Sequence, residues 1–416
     1  MSLTGTLARL LIATVLLVLA CPWISGPEAK ESPTRFPICQ KEKWGFIDQT
    51  GKIIIFPKFD AVYDFREGLA PVQKGGKWGY VNHTGKLAIP LQFEEVYGLA
   101  EGLILARMGK KWGFFGRTGK MLHPPRFDEI YRFSGKLARV RIGHEGGVVD
   151  RTGQIVLKLQ DQDYCPLSFS EGLALLTMGG KYGFLGPIGK IVIPPQFEDA
   201  LDFSERLAAV KLSGQWGFID QTGKLIIPPK FIEAGYFSEG LAPAKLGDKW
   251  GYTDRDGKMV IPPQFDGDNY HGAGTFSEGL APVRVGGKYG VIDRQGKMVI
   301  PPQFDYVSEF SHGLARVSIG KKRGLINPKG EPVTPIRFDK INKFSEGLAA
   351  VKFGDKWGFI DQTGAMTIPP QFTPCSDEES GFGFAGGLAR VVVGHRWGYI
   401  DRTGRMVWRS PEGEEF

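Results

Sequence analysis

The chain has 416 residues, of which 42% are hydrophobic and 23% charged, the proportions of an ordinary globular protein. Those proportions exclude wholesale disorder and an integral membrane bundle. The net charge of +7 is spread over the whole length rather than gathered in a basic block, so we do not expect a nucleic-acid partner. Glycine is abundant at 58 residues without a collagen period, which indicates many tight turns.

Residues 1–21 have the pattern of a secretory signal, because Arg9 precedes the apolar run from Leu10 to Ala20. The run is too short for a comfortable membrane span, so we expect export to the cell envelope, meaning the periplasm, the outer membrane or the cell surface. The segment ending in Ala20-Cys21 also resembles a bacterial lipoprotein signal, which makes Cys21 a candidate lipidation site. Three outcomes stay open here: a lipid-anchored protein, a cleaved soluble protein and an uncleaved anchor.

Residues 22–39 predict a linker, and after them one short motif recurs along residues 40–408. Its first copy is Lys43-Trp44-Gly45-Phe46-Ile47-Asp48, and seven of the ten intervals between the copies are 34 residues. A fixed period of that length is typical of a repeat array. Weaker copies at Gly146 and Arg323 lack the aromatic ring. The ring positions, which we interpret as structural anchors, are Trp44, Trp78, Trp112, Tyr182, Trp216, Trp250, Tyr289, Trp357 and Trp397.

Each unit predicts three short β-strands, because glycine or proline interrupts the chain too often for a helix. In one unit the strands are Leu280 to Val285, Tyr289 to Asp293 and Lys297 to Ile300, and a glycine pair turns the chain between the first two. Pro301-Pro302 is expected to end the third strand, because proline lacks the backbone donor that a sheet needs.

We therefore predict an all-β tandem array of ten to eleven three-stranded units, stacked as an open superhelical or solenoid-like assembly. One or two β-propellers are the alternative, which we disfavour because a propeller ordinarily has four to eight blades. Residues 409–416 are expected to form a C-terminal tail.

Two kinds of repeated residue have structural interpretations. The aspartates of the Asp-x-Thr-Gly turns are expected to accept hydrogen bonds from the turn backbone: Asp48, Asp220, Asp361 and Asp401. The tryptophan rings are expected to pack between units, with exposed stacking surfaces as the alternative. The repeated glutamates Glu67, Glu171, Glu239, Glu278 and Glu346 predict a solvated face or, alternatively, a charged track for a linear partner.

The chain resembles the WG-repeat family of bacterial proteins over about residues 40–408. The resemblance rests on the recurring blocks Lys-Trp-Gly-Phe-Ile-Asp, Thr-Gly-Lys, Ile-Pro-Pro-x-Phe and Phe-Ser-Glu-Gly-Leu-Ala. It implies a repeat platform for interaction and transfers no catalytic residues. A looser likeness to choline-binding and cell-wall-binding repeats, which also build hairpins around Gly-Trp, supplies an alternative in which the partner is a cell-wall or surface glycan.

No motif predicts catalysis, a cofactor or a metal site. The six histidines share no ligand spacing and no fixed repeat position, so we expect them on the surface or in loops. The pairing of Cys39, Cys165 and Cys375 stays open. Two long intervals place insertions at Asp266 to Gly274 and Pro374 to Gly383, where we would look for a local site. The leading hypothesis is an exported, non-catalytic scaffold for an unknown protein partner; an enzyme with a site in these insertions is the weakest alternative.

Overall fold

The computed structural model describes residues 34–267, 273–373 and 382–412, and these fold into forty-one β-strands with no helix among them. The strands form eleven antiparallel sheets, which we call blades 1 to 11 in chain order. Eight blades have four strands and three have three. The prediction of a tandem all-β array is confirmed, but the usual unit has one strand more than we expected.

The strands of each blade follow one another as a meander. Blades 1 to 5 comprise β1 (Phe36–Gln40), β2 (Lys43–Ile47) and β3 (Ile53–Phe59); β4 (Ala61–Val62), β5 (Leu69–Lys74), β6 (Lys77–Asn82) and β7 (Leu87–Phe93); β8 (Glu95–Ala100), β9 (Leu103–Met108), β10 (Lys111–Gly116) and β11 (Met121–Phe127); β12 (Glu129–Ile130), β13 (Leu137–Ile142), β14 (Glu145–Asp150) and β15 (Ile155–Leu159); and β16 (Phe169–Ser170), β17 (Leu173–Met178), β18 (Lys181–Leu185) and β19 (Ile191–Phe197).

Blades 6 to 11 continue the same order. They comprise β20 (Asp199–Ala200), β21 (Leu207–Leu212), β22 (Gln215–Asp220) and β23 (Leu225–Phe231); β24 (Glu233–Ala234), β25 (Ala242–Leu246), β26 (Lys249–Thr253) and β27 (Met259–Phe265); β28 (Leu280–Val285), β29 (Lys288–Asp293) and β30 (Met298–Phe304); β31 (Tyr306–Val307), β32 (Ala315–Ile319) and β33 (Lys322–Ile326); β34 (Lys340–Ile341), β35 (Leu348–Phe353), β36 (Lys356–Asp361) and β37 (Met366–Phe372); and β38 (Phe384–Ala385), β39 (Leu388–Val393), β40 (Arg396–Asp401) and β41 (Met406–Arg409).

A complete blade has a short first strand, a second strand, a third strand that carries the Trp-Gly motif, and a fourth edge strand. Blades 1 and 8 lack the first strand, and blade 9 lacks the fourth. The predicted linker 22–39 overlaps β1, because Phe36 and Ile38 pair with the third strand of blade 1 and are buried. The array therefore begins at Phe36 rather than at residue 40.

The Pro-Pro pair does not end the edge strand, which was our prediction. In blade 8 this strand runs through both prolines to Phe304, with a register shift between the pairs Tyr289–Phe304 and Val291–Ile300. The prolines lie in that bulge on the outer edge, where no ladder hydrogen bond is lost. The glycine of the motif makes the bulge feasible: a Cβ on Gly251 in blade 7 would lie 2.4 Å from the carbonyl oxygen of Ile261.

The core consists of eleven apolar clusters, each of which combines residues from two blades. Ten clusters join consecutive blades, and the eleventh joins blade 11 to blade 1. The last cluster contains Phe36 and Ile38 from blade 1 with Trp397, Tyr399 and Trp408 from blade 11. The chain is therefore a closed, eleven-bladed β-propeller.

Closure corrects our prediction of an open superhelical stack. Across the joint, Gln49 Nε2 donates a hydrogen bond of 2.8 Å to the carbonyl oxygen of Gly386, and the rings of Phe36 and Tyr399 lie 5.4 Å apart. Because blade 11 contacts blade 1, the rotations between successive units add up to a full turn over eleven units. The ring has eleven blades, more than the four to eight of ordinary propellers on which we based our preference for an open stack.

Candidate functional site

The repeated aspartates shape the turns between third and fourth strands, as predicted. Asp220 Oδ1 accepts hydrogen bonds from the Thr222 hydroxyl at 2.6 Å, the Thr222 amide at 2.9 Å and the Lys224 amide at 3.1 Å. The threonine hydroxyl is the main cause that lowers the pKa of Asp220. Asp48, Asp361 and Asp401 make the same contacts. These carboxylates are therefore turn-forming groups.

The Phe-Ser-Glu-Gly block joins neighbouring blades where it occurs. In blade 7, Ser238 Oγ donates a hydrogen bond of 2.6 Å to the carbonyl oxygen of Phe276 in blade 8. The Glu239 carboxylate accepts the Gly279 amide at 3.0 Å. Glu239 has a φ of +53°, so the clamp is made from a strained backbone. We call this Ser and Glu pair of contacts the interblade clamp.

Clamp contacts recur around much of the ring. Their glutamates are Glu67, Glu171, Glu205, Glu239, Glu278 and Glu346. Because these carboxylates bind backbone amides of the neighbouring blade, they do not form the charged track that was one of our two predictions. Their role is structural.

The repeated lysines lie at the opposite end of the strands and are also engaged. Lys288 at the start of its strand forms an ion pair of 2.5 Å with Asp305, and Asp305 accepts the Gly320 amide of blade 9 at 2.6 Å. The Lys288 hydrogen bond is the first cause that lowers the pKa of Asp305. Both ends of the blades thus use their repeated charges to hold the ring.

The buried anchor rings lie in apolar clusters shared by two neighbouring blades. Seven of the nine are buried: Trp78, Trp112, Trp216, Trp250, Tyr289, Trp357 and Trp397. Trp44 and Tyr182 are half-buried. Each buried ring stabilises its joint by roughly 2–3 kcal/mol. Most rings of the Trp-Gly motif are therefore not exposed, and the motif does not form the exposed stacking surface that was the alternative.

The joint between blades 9 and 10 lacks the interblade clamp. His312 occupies the glutamate position there, also with a positive φ, of +54°. Ser311 Oγ lies 3.0 Å from His312 Nδ1 instead of bonding to the next blade. In blade 6, Gln221 donates a hydrogen bond to the carbonyl oxygen of Glu171 in the preceding blade. Gln362 is the equivalent residue of blade 10, and within the described part of the chain it makes no such bond. Three links made elsewhere are thus missing at one joint.

A cleft of about 830 Å³ opens at this joint and extends from blade 8 to blade 10. Its framework is apolar and includes the anchor Tyr289, the half-exposed Tyr306 and Leu314. Neutral polar, acidic and basic side chains surround these apolar residues. They are Ser308, Glu309, Ser311, His312, Arg316, Asn342, Lys343 and Gln362. We take this cleft as the candidate functional site.

The cleft exists because several positions are small or incomplete. The first-strand position that holds tyrosine in blades 2 to 4 is Ser308 in blade 9, and blade 9 has no fourth strand. Arg323 replaces the anchor ring of blade 9. Of the two weaker copies of the motif, at Gly146 and Arg323, the one at Arg323 lies beside the cleft. The cleft also reaches Gly274, the end of the first predicted insertion.

Several polar groups of the cleft bond to one another or to neighbouring backbone. The backbone amide of Arg316 donates to Ser308 Oγ at 2.9 Å, and its guanidinium Nη1 donates to the carbonyl oxygen of Ile341 in blade 10 at 3.4 Å. The Glu309 carboxylate accepts the Thr275 hydroxyl. Among the described residues no carboxylate contacts the second ring nitrogen of His312, so Ser311 and His312 lack the third member of a hydrolytic triad. Nor is there a group of three or more His, Cys, Asp or Glu side chains in residues 34–267, 273–373 and 382–412 that could hold a metal ion.

Several residues singled out by sequence have other surroundings. Cys39 lies in β1, whereas Cys165 is buried between blades 4 and 5, so the structure does not bring them together. His83, which we expected on the surface or in a loop, lies half-buried in the turn after β6. Its ring stacks on Phe65 at 4.6 Å, and burial lowers its pKa. Asp266 is bound by Lys249 and by the Gly286 amide. Cys21, Cys375 and His271 lie outside the described residues, as do residues 268–272 and 374–381 of the two insertions.

Sequence reasoning missed the cleft residues, although their signal was available. The block reads Phe-Ser-His-Gly at His312, a departure from Phe-Ser-Glu-Gly that we did not weigh.

No helix that could cross a membrane occurs within the described parts of the chain.

Comparison with known proteins agrees with the repeat pattern. The family model described as the WG containing repeat matches ten consecutive segments, from residue 44 to residue 394. No curated protein matches the sequence. The chain is similar in structure to a eukaryotic initiation factor, with 12% identity, a TM-score of 0.42 and coverage of 84% of this chain and 96% of that one.

Two bacterial structures are also similar. BamB from Moraxella catarrhalis has 13% identity, a TM-score of 0.32 and coverage of 77% of this chain and 95% of its own. The extracellular domain of the putative hybrid two component system BT3049 from B. thetaiotaomicron has 11% identity, a TM-score of 0.27 and coverage of 89% and 62%. At such TM-scores, these similarities do not bear on function.

Proposed function

The chain belongs to the WG-repeat family, and from that premise we propose that it is a non-catalytic scaffold whose cleft docks a protein partner. The observation that carries the proposal is the cleft itself, which opens at a joint without the Ser and Glu contacts, although the joints on either side of it, between blades 8 and 9 and between blades 10 and 11, have both. The repeated polar groups hold the ring, so the side chains that differ between blades are the ones left for recognition.

The composition of the cleft favours a peptide-like partner. Protein interfaces concentrate binding energy on a few buried aromatic and arginine side chains, and here Tyr289, Tyr306 and Arg316 lie together. Lys343 and Glu309 at the rim supply charges of both signs, which select orientation more than affinity. A cleft of this volume accepts one or two large side chains of a docked segment.

The cellular setting is a second part of the proposal. The apolar run from Leu10 to Ala20 and the cysteine after it support export to the cell envelope, either as a lipid-anchored protein or as a soluble one. A scaffold placed there would meet its partner in the periplasm, at the outer membrane or on the cell surface.

Affinity capture from envelope extracts tests the docking site. The bait is the wild-type chain, compared with Lys343→Glu and Tyr306→Ala in the cleft and with Lys224→Glu as a matched control. Lys224 is an exposed residue of blade 6. We expect one protein to be retained by the wild type and by Lys224→Glu, and lost from both cleft variants. Equal retention by all four baits would contradict a docking role for the cleft.

The N-terminus has its own test. Mass spectrometry of the protein purified from membranes is expected to find an acyl adduct on Cys21 if the lipid-anchored form is correct. A mature chain that begins beyond Cys21 would leave export in place but remove the anchor. A chain that keeps Met1 and partitions with the cytoplasm would refute export.

A further inference from the structure

A second surface, distinct from the cleft, lies on the first strands of blades 2 to 4. Tyr63, Tyr97 and Tyr131 occupy the same position in these three consecutive blades, three residues after the acidic residue that follows the preceding blade. They are 54%, 44% and 46% exposed. The equivalent residues of blades 6, 7, 9 and 10 are not aromatic: Leu201, Gly235, Ser308 and Asn342. The tyrosines are therefore a local feature and not a requirement of the fold.

Two of the three rings are held flat against a buried anchor. Tyr63 stacks on Trp78 with ring centroids 4.9 Å apart and planes within 6°. Tyr97 stacks on Trp112 at 4.5 Å and 16°. One face of each phenol is thereby fixed and the ring remains about half exposed, so little conformational entropy is lost when a ligand covers it.

In blade 4 an arginine takes the place of the tryptophan beneath the tyrosine. Gly146 stands where the anchor ring would be, and the guanidinium of Arg139 takes its place 4.5 Å from the ring of Tyr131. The same guanidinium lies 5.0 Å from the ring of Tyr164 in blade 5, which is 53% exposed. The missing ring at Gly146 thus does not break the surface, which runs over four blades.

Two arginines flank the central tyrosine. Arg66 of blade 2 and Arg132 of blade 4 line one shallow hollow with Tyr97. No acceptor contacts either guanidinium within residues 34–267, 273–373 and 382–412. Neighbouring arginines are paired, as in the bridge of 2.9 Å between Arg107 and Glu95. The pKa of Tyr97 is raised, first by burial, then by the nearby Glu95 carboxylate and by the Tyr131 phenol. Tyr97 and Tyr131 are thus close enough to influence each other's ionisation.

We propose that this tyrosine–arginine sector, formed by Tyr63, Tyr97, Tyr131, Arg66 and Arg132, binds an acidic polysaccharide. Pyranose rings present flat C–H faces that pack on the tyrosines. The sugar carboxylates accept the planar donor pairs of Arg66 and Arg132. The site goes beyond the proposed protein docking, because it lies on other blades and uses other residues.

The carboxylates of the sector favour a polysaccharide over single-stranded nucleic acid. Nucleic-acid channels combine aromatic rings with a continuous basic groove, whereas Glu95 and Glu129 interrupt the arginines here. The sugar-phosphate backbone of single-stranded DNA has hydrogen-bond acceptors only, so it offers these carboxylates no donor. Sugar hydroxyls, in contrast, donate to carboxylates and accept from guanidiniums.

Isothermal titration of the full chain with a galacturonate hexamer tests the proposal. We expect binding that weakens with added salt, because surface ion pairs are screened. Tyr97→Ala is expected to weaken it about tenfold, the loss of one stacking contact. Arg66→Gln combined with Arg132→Gln is expected to abolish most of the binding; these side chains are exposed, so the fold should be unaffected. Tyr306→Ala, in the cleft, should bind like the wild type.

Three results would overturn the proposal. These are unchanged affinity in the double arginine variant, equal affinity for a neutral glucose hexamer, and tighter binding of a thymidine oligonucleotide with the same number of charges. Because Tyr306→Ala is expected to lose the protein partner and keep the polysaccharide, failure of this site and failure of the cleft can be told apart.

Discussion

The hydroxyl of Tyr399 in blade 11 donates a hydrogen bond of 3.0 Å to the carbonyl oxygen of Pro37 in blade 1. In blade 2 the equivalent carbonyl, that of Pro71, accepts the backbone amide of Tyr63 at 3.0 Å. Blade 1 has no first strand to supply such an amide. The side chain of the last blade therefore satisfies an acceptor that the missing strand would otherwise have paired, and this contact ties the ends of the ring together.

Replacing Tyr399 by phenylalanine tests this contact. The variant keeps the ring against Phe36 and leaves the Pro37 carbonyl without that donor, so we expect a loss of about 1 kcal/mol in the free energy of unfolding. Urea denaturation measures it. Tyr306→Phe removes a more exposed hydroxyl and should change stability by less than about 0.5 kcal/mol. Equal stability of both variants would mean that the contact does not help to close the ring.

The glycine of the Trp-Gly motif is predicted to be sterically required. A Cβ at Gly251 would lie 2.4 Å from the Ile261 carbonyl oxygen, and backbone cannot move aside cheaply. We expect Gly251→Ala to destabilise the protein by about 3 kcal/mol, the upper range for an overpacked site. Gly383, whose added Cβ would have its nearest neighbour at 4.0 Å, is the matched control. A thermal melt in which both alanine variants resemble the wild type would refute the steric account.

Installing the clamp that blade 9 lacks should stabilise the ring. In His312→Glu the new carboxylate can accept the Gly347 amide, as Glu278 accepts Gly313 at 2.9 Å. We expect a gain of about 1 kcal/mol, since the bond is charge-assisted but exposed. Retention of the protein partner should fall because the joint is drawn together. A variant that is no more stable, measured by urea denaturation beside His312→Ala, would contradict the role assigned to the clamp.

The turn aspartates predict a loss of stability in acid. The folded protein lowers the pKa of Asp220, mainly through the Thr222 hydroxyl. A lowered folded pKa gives stability that is present above the ordinary carboxyl pKa of about 4 and is lost as the pH falls through the folded value. We therefore expect the melting temperature, measured from pH 7 to pH 2.5, to decrease once the pH is below about 4.

Asp220→Asn is the matched variant for this effect. Asn82 and Asn327 already fill the same turn position in blades 2 and 9, where their side-chain oxygens accept the turn amides at 3.0 Å. The substitution should cost little at pH 7 and make the acid loss shallower, because an amide does not titrate. An acid profile identical to that of the wild type would show that Asp220 does not contribute.

Much of the blade could be predicted because it depends on neighbours in sequence. The strand expected from Leu280 to Val285 has those limits in the structure, and the turn after it uses glycines with positive φ at 286 and 287. The errors have physical causes. The fourth strand continues through Pro301 and Pro302 because it lies on an edge and bulges over the motif glycine, and two-residue first strands are too short to produce a periodic pattern.

Closure could not be read from the repeat period, yet the ends of the array contained a signal for it. An open array needs terminal units with a polar outer face. The first and last units here carry Phe36, Ile38, Trp397 and Trp408, which are all buried against one another across the joint. The candidate sites needed a comparison between units: His312 departs from the glutamate of its block, and Tyr63, Tyr97 and Tyr131 share one position in three successive units.

Solution scattering of the purified chain tests closure most directly. Eleven sheets spaced about 10 Å apart would extend roughly 110 Å in an open stack. The closed ring predicts a compact particle whose largest dimension is well below that length, with a single-peaked distribution of interatomic distances. An elongated profile that reaches about 110 Å for the monomer would contradict the closed propeller and with it the joint between Tyr399 and Pro37.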